Sequence, residues 1–387
     1  MKSHRLGNLL LVPALGVLAL CLASQNLTAQ PNTFKETDLV SDIPGRAATT
    51  DPSLVNPWGI STSPTSPFWV SDNGTGLSTL YNTAGAKQGL VVTIPPPAGS
   101  TDTSAPTGTV FNPTATSFGG AHFIFATEGG TIDAWSSGTS AVAKVDNSGS
   151  GAEYKGLAIG NNGSGNYLYA TNFTTGNIDV FNSSFAPTSL SGSFVDPTIP
   201  AGYRPFNVQN LGGALYVTYA MRDPVTGDDV GGPGHGFVDV FDLNGNLLRR
   251  VASMGPLDSP WGLALAPTGF GPFAGDLLVG NFGDGMINVF DPMSGLFIDS
   301  LRDPDGHPIV IEGLWGLIDG NGGSGGAADS VYFAAGIAGD GAVEDHGLFG
   351  RLSAVPDTGM TLLMVAGAVL GLIGLQRFWP RPSALMV

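Results

Sequence analysis

The stretch Asn56-Pro-Trp-Gly-Ile60 returns as Ser259-Pro-Trp-Gly-Leu263 and as Gly313-Leu-Trp-Gly-Leu317. Around these copies the chain repeats one unit of roughly 50 residues, a period that marks an array of stacked sheets. The remaining openings are Asn112-Pro-Thr-Ala-Thr116, Glu153-Tyr-Lys-Gly-Leu157 and Arg204-Pro-Phe-Asn-Val208, which makes six units. In each, a proline or another turn residue sets up a short apolar strand.

A second strand follows in every unit, from Phe68-Trp-Val-Ser71 to Val331-Tyr-Phe-Ala334. These runs are β-branched and aromatic and too short for helices. A glycine precedes each third strand, at Gly76, Gly130, Gly176, Gly236, Gly285 and Gly347, which predicts a turn that needs positive φ. Inside the third strands Asp133, Asp179, Asp239 and Asn288 recur at one position, which predicts a repeated hydrogen bond within the blade. Four short strands per unit, 58 Gly, 28 Pro and no amphipathic helix predict an all-β fold, a six-bladed β-propeller. The last unit has no fourth strand after Ala354, and Asp38-Leu-Val-Ser-Asp-Ile43 precedes the first blade without a partner. Pairing the two would close the ring and remove an exposed edge.

Both ends read as sorting signals. Lys2, His4 and Arg5 precede the apolar run Leu9 to Ala23, the pattern of a secretory signal peptide, with cleavage after Ala23 or Ala29 fitting equally. Cys21 falls inside it, so the mature chain would hold no disulfide and no Cys-based metal site. At the other end Val355-Pro356-Asp357-Thr358-Gly359 leads into the apolar run Met360 to Leu375, then Arg377 and Arg381. The positive-inside rule keeps those arginines cytoplasmic and the body outside. The expected layout is a signal peptide over 1–29, a linker over 30–37 and the propeller over 38–354. The sorting motif and transmembrane helix take 355–381 and a short tail takes 382–387.

The motif, apolar helix and basic end resemble the exosortase sorting tails known as PEP-CTERM, in the Val-Pro-Asp-Ser-Gly form with Thr358 in the Ser place. The resemblance implies export, temporary anchoring with the motif outside, and processing by an exosortase-type sorting enzyme. An ordinary permanent anchor would give the same topology. From about Leu39 onward the Asn-Pro-Trp-Gly openings resemble an uncharacterised family of exported bacterial propellers with NHL-like repeats.

Only 12% of residues are charged and the formal net charge is −16, which argues against nucleic acid as a partner and leaves the C-terminal helix as the sole membrane contact. Propeller strands alternate in direction. The turn into each innermost strand and the loop between second and third strands therefore share one face, here termed the upper face, where a local site is expected. The sequence places Asn56, Asn112, Glu153, Arg204, Asp258 and Glu312 around the channel mouth there, with Asp72, Asn73, Glu128, Asp284, Glu344 and Asp345 on neighbouring loops. Asn56, Asn112, Glu153, Asp258 and Glu312 have the oxygen chemistry of a Ca²⁺ site. Gluconolactonase-like and paraoxonase-like propellers resemble this architecture and hold a metal in that way. The competing reading is that Asp and Asn cap turns.

His235, His307 and His346 read either as a metal or acid/base group or as turn residues. The Met221 to Gly234 insertion reads as a surface excursion, with a lid as the alternative. Trp58, Trp261 and Trp315 read as packing between blades, with sugar stacking as the alternative. Catalytic motifs for serine hydrolysis and phosphoryl transfer are missing. Two functions follow as expectations. The first is a binding or interaction module of the envelope or extracellular matrix, with a polysaccharide or surface protein as partner. The alternative is a Ca²⁺-dependent, lactonase-like hydrolase.

Overall fold

The computed structural model describes residues 33–355. The expected signal peptide, the expected sorting motif beyond Val355 and the expected transmembrane helix lie outside the described residues. Among the described residues no helix is long and apolar enough to cross a membrane.

Strands β1 (Phe34–Ser41) and β2 (Thr49–Thr50) precede the first blade. Blade 1 contains β3 (Pro57–Ser61), β4 (Phe68–Asp72), β5 (Leu77–Tyr81) and β6 (Lys87–Thr93). Blade 2 contains β7 (Pro106–Phe111), β8 (Phe123–Thr127), β9 (Thr131–Trp135) and β10 (Val142–Asp146). Blade 3 contains β11 (Tyr154–Asn161), β12 (Asn166–Asn172) and β13 (Asn177–Asn182). Blade 4 contains β14 (Tyr203–Leu211), β15 (Ala214–Met221), β16 (Phe237–Phe241) and β17 (Leu247–Ser253). Blade 5 contains β18 (Pro260–Leu265), β19 (Leu277–Asn281), β20 (Ile287–Phe290) and β21 (Phe297–Ser300). Blade 6 contains β22 (Leu314–Asp319), β23 (Ser330–Ala335), β24 (Leu348–Ala354) and, as its fourth strand, β1. The protein is a six-bladed, all-β propeller.

Ring closure occurs as the unpaired segments require, with the register set further upstream than Asp38–Ile43. Phe34 faces Ala354 and Ser41 faces Leu348 in an antiparallel ladder. Phe34 is fully buried and stacks on Phe270 at 4.5 Å and Phe273 at 5.9 Å. This aromatic contact anchors the strand four residues earlier than its Val-rich centre suggests.

The inner strands close a second circuit around the axis. A Cβ on Gly59 would collide with the Thr107 carbonyl, on Gly108 with the Leu157 amide, and on Gly156 with Asn207. The same holds for Gly262 against the Trp315 carbonyl and Gly316 against the Trp58 carbonyl. Asn207 takes the glycine place in blade 4 and spans the gap with a side-chain bond to the Trp261 carbonyl at 2.8 Å. Glycine in the Pro-Trp-Gly openings thus lets adjacent backbones touch.

Three expectations need correction. Blade 2 opens with Pro106-Thr-Gly108, so Asn112 follows its inner strand instead of preceding it. The Asn-Pro pair at 112 imitates Asn56-Pro57, whereas the true opening lies in a Pro- and Thr-rich stretch with Thr107 in the Trp place. Blade 3 has three strands, not four, with Phe185 and Phe194 of the following segment buried over its edge. Finally, Gly76, Gly130, Gly176 and Gly285 have φ between +69° and +80°, but Gly236 and Gly347 are absent from the left-handed region. Those two follow long loops and pack instead against Pro260 and Pro57, the prolines that open the next blade.

The third-strand carboxamides and carboxylates do not make one repeated bond. Asp133 accepts from Thr131 at 2.6 Å, Asp179 from Tyr154 at 3.0 Å, Asp239 from Arg250 and Asn288 from Ser300 at 2.8 Å. These four blades engage the position through four different partners, and Asp133 Oδ1 and Asp239 Oδ2 are buried without one.

Candidate functional site

The residue just before the close-approach glycine, or before Asn207 in blade 4, marks the axial position of each inner strand. Going round the ring these are Trp58, Thr107, Lys155, Phe206, Trp261 and Trp315. Trp58 and Trp315 stack at 3.5 Å, and Trp261 meets both edge-on at 6.0 and 5.9 Å. Phe206 and Phe282 complete the cluster, with Phe282 stacked on Trp315 at 4.0 Å. The three indoles are at most 2% exposed. They plug the axial channel; they neither fill the wedges between blades nor offer a face to a sugar.

A polar layer covers the plug on its upper side. The Asn56 side chain accepts from Trp315 Nε1 at 3.1 Å and donates to Glu344 Oε1 at 2.9 Å and to Asn73 Oδ1 at 3.3 Å. Asn73 donates to Glu128 at 2.9 Å. Lys155 then pairs with Glu128 and, at 2.8 Å, with Glu153. Its ammonium stands 5.2 Å from the Trp58 ring centroid and 5.9 Å from that of Phe173, within cation–π range.

Electrostatics follow from this geometry. Burial alone would lower the Lys155 pKa, but the Glu128 and Glu153 carboxylates outweigh it and hold the ammonium charged. Burial pushes Glu344 up to about 7, against the pull of the Asn56 hydrogen bond and with added repulsion from Glu128. Asp229 and Asp284 are also raised, chiefly by burial. Asn56 and Ser259, at matching places before Pro57 and Pro260, both have positive φ, +46° and +43°. The mouth therefore holds strained backbone at two of its six corners.

The insertion after β15 is a cover over the mouth, not a plain excursion. Arg222 lies 3.8 Å from Glu153 and over the Phe173 ring at 5.9 Å. Gly232 N–H donates to Asp258 Oδ1 at 2.7 Å. Asp229, Phe282, Asp284, Glu312 and Val343 line a cavity of about 450 Å³ beneath and beside it. A neighbouring cavity of about 770 Å³ is lined by Ile43, Arg46, Ile337, Asp340, His346 and, again, Glu312. Val310 and Glu312 line both, so the two cavities are neighbours, one at the mouth and one at the outer edge of blade 6, and together are termed the groove.

At that edge His346 joins two segments, with Nδ1 at 2.7 Å from Asp42 and Nε2 at 3.2 Å from Asp340. The Asp42 bond leads in raising its pKa. Glu36, in the same cavity, is pushed up to about 7 by burial and by nearby Asp38.

Of the residues expected at a cation site, Asn56 and Glu153 are at the mouth and Glu312 is on the groove. Asp258 braces the blade 4 cover and Asn112 is on the opposite, lower face, bonded to the carbonyls of Thr114, Ser117 and Ala121. Among the described residues no group of three or more His, Cys, Asp or Glu is placed to hold a metal. The Lys155 ammonium is the cation of this carboxylate ring, so the donor set does not fit Ca²⁺. Arg204 packs over Gly176. His235 bonds to the Val230 carbonyl at 2.9 Å inside its own loop. His307 is 78% exposed beside Asp303, and Asp345 holds its own turn through the Ala342 amide. Asp284 and His346 do line the groove. Lys155, Phe173 and Phe282 were not anticipated. The first had a signal: Tyr-Lys-Gly breaks the Trp pattern of the openings.

No family model matches the chain. Among solved structures, a glucose dehydrogenase is 13% identical with a TM-score of 0.49, covering 83% of this chain and 100% of that one. A streptogramin B lyase is 13% identical with a TM-score of 0.47, covering 83% and 97%. Two uncharacterized proteins of Acanthamoeba polyphaga mimivirus are much nearer in sequence. One is 34% identical over 302 residues, 74% of this chain and 73% of its own length. The other is 36% identical over 303 residues, 74% of this chain and 78% of its own length. The chain belongs to the family of these two viral proteins.

Proposed function

We propose that the protein is an exported binding module, held at the envelope or matrix by its C-terminal sorting tail, whose upper-face groove takes a polysaccharide of neutral or amino sugars. The single observation that carries this reading is the pair of adjacent cavities sharing Val310 and Glu312. Their floor has apolar patches from Ile43, Ile337 and Phe282, which suit the C–H faces of a sugar ring. Their walls carry Asp42, Asp229, Asp284, Glu312 and Asp340, which accept hydrogen bonds from hydroxyl and ammonium groups. The same carboxylates would repel a polyuronate. An exosortase-type enzyme would be the partner of the tail at Val355 to Gly359.

A calcium-dependent hydrolase needs carboxylates free to hold the ion at the mouth. Glu128 and Glu153 are already committed to Lys155, which favours binding over metal-assisted hydrolysis.

Calorimetric titration with neutral and amino-sugar oligosaccharides tests the proposal. Glu312→Gln should weaken binding about tenfold, the worth of one charge-assisted hydrogen bond. Equal affinity for a polyuronate, or no change in the variant, would overturn it.

A further inference from the structure

The lower face of the propeller differs from the upper one in three independent ways. First, the described chain both begins and ends there. Phe34 and Ala354 are paired, and Val355 N–H donates to the Thr33 carbonyl at 2.9 Å. Both ends sit against the loop joining β18 to β19: Phe34 stacks on its Phe270 and Ala354 lies beside its Gly271. A loop between first and second strands is on the lower face by construction. Residues 356–387, with the apolar run Met360 to Leu375, continue from this point.

Second, the loops and turns of this face carry little charge. It consists of the six loops between first and second strands and the turns at 82–86, 136–141, 183–187, 242–246 and 291–296. Together they contain Asp242, Asp276, Asp291 and Asp329, and no Glu, Lys or Arg; the cations at its edge are Lys35 of β1, Arg249 of β17 and Arg302, whose carbonyl accepts from the Phe34 N–H at 2.7 Å. Asp242 and Asp291 cap their own turns through backbone amides. The acidic side chains that dominate the net charge of −16 are concentrated on the upper loops.

Third, exposed apolar side chains cluster at its rim, whereas those of the upper face, such as Val225, Met254, Val310 and Val343, stand on separate loops. Met293 is 73% exposed, Leu296 66% and Phe297 42% in the outer turn of blade 5, and Leu248 is 53% exposed on β17 of blade 4. The two blades touch here, since Arg249 Nε donates to the Pro292 carbonyl at 2.9 Å.

We infer that this face, led by the Met293 to Phe297 turn, lies against the lipid bilayer while the groove is turned outward. The inference rests on the anchoring role proposed above for the tail. The tail supplies membrane affinity; the face decides orientation. A short anchor leaving beside a surface poor in acidic groups brings that surface to the headgroups, where Phe, Leu and Met side chains settle. The acidic upper face would be repelled by anionic lipids in the opposite pose.

The test uses the full chain reconstituted in phosphatidylcholine vesicles, in a Cys21→Ser background. Leu296→Cys and Val343→Cys are each labelled with an environment-sensitive fluorophore; Val343 is 40% exposed and lies on the groove. Flotation reports anchoring, and quenching by lipids spin-labelled near the headgroup reports orientation. Quenching several-fold stronger at position 296 than at 343 is expected. Flotation with equal quenching at both positions, or stronger quenching at 343, would overturn the orientation alone. Failure to float would instead overturn the anchoring role and the orientation with it.

Discussion

The two ends of the axial channel are built by the same six strands, yet one is charged and the other is not. Above the tryptophan plug lie Lys155, Glu128, Glu153 and Glu344. Below it, a cavity of about 480 Å³ is lined by Ile60, Leu157, Ile159 and Ile318, with hydroxyls and amides from Ser61, Thr109, Gln209 and Asn210. The later residues of each inner strand keep the repeat because they serve packing alone. The earlier ones abandon it: Thr107, Lys155 and Phe206 replace Trp in three of six blades. Departure from the repeat, more than the repeat itself, marks where the blades were specialised.

If the plug separates the two ends, its loss should be the largest effect. Trp315→Ala removes a ring in contact with Trp58, Trp261, Phe206 and Phe282, and should cost about 3–5 kcal/mol in urea unfolding. A cost below about 1 kcal/mol, within the range of surface substitutions, would show that the cluster is not the divider.

Lys155→Met tests whether the ammonium is what the upper layer is organised around. The variant keeps the stem and leaves two half-buried carboxylates, Glu128 without its counter-charge and Glu153 with only Arg222 at 3.8 Å, a change of about 3 kcal/mol. Adding Glu128→Gln and Glu153→Gln should restore much of the melting temperature. If the triple variant is no better than the single one, the ion pairs are not the reason for the lysine.

Glu344→Gln gives the smallest and most diagnostic effect. Its carboxyl is raised from 4.5 to about 7 by burial, so the folded state holds the proton more tightly than the unfolded one. This contribution to stability is present below about pH 4.5 and is lost as pH rises to about 7. The variant should flatten that slope by on the order of 1 kcal/mol, allowing for solvent screening of a half-buried group. Identical melting profiles for the two proteins over this range would place the acid outside the buried layer.

Blade number, ring closure by an N-terminal strand and the general location of the upper loops were all readable from the sequence. Each depends on local patterning: strand period, glycine before the third strand, and an unpaired segment at each end. Blade 2 was misplaced because Asn112-Pro113 copies a local signal without its context. The fate of the polar residues was not readable, because local sequence says which groups a loop carries but not which group from another blade it meets.

The amino-acid sequence by itself thus determined the propeller and the side on which its acids gather, since hydrophobic period and turn chemistry act within a few residues. Tertiary structure alone decided that Lys155 sits among the carboxylates, that Asn112 belongs to the far face and that the tryptophans close the channel. The lysine reaches back 27 residues to Glu128 of the preceding blade, and the plug is held by Trp315 against Asn56, 259 residues away. Only closure of the ring brings such groups within hydrogen-bonding distance.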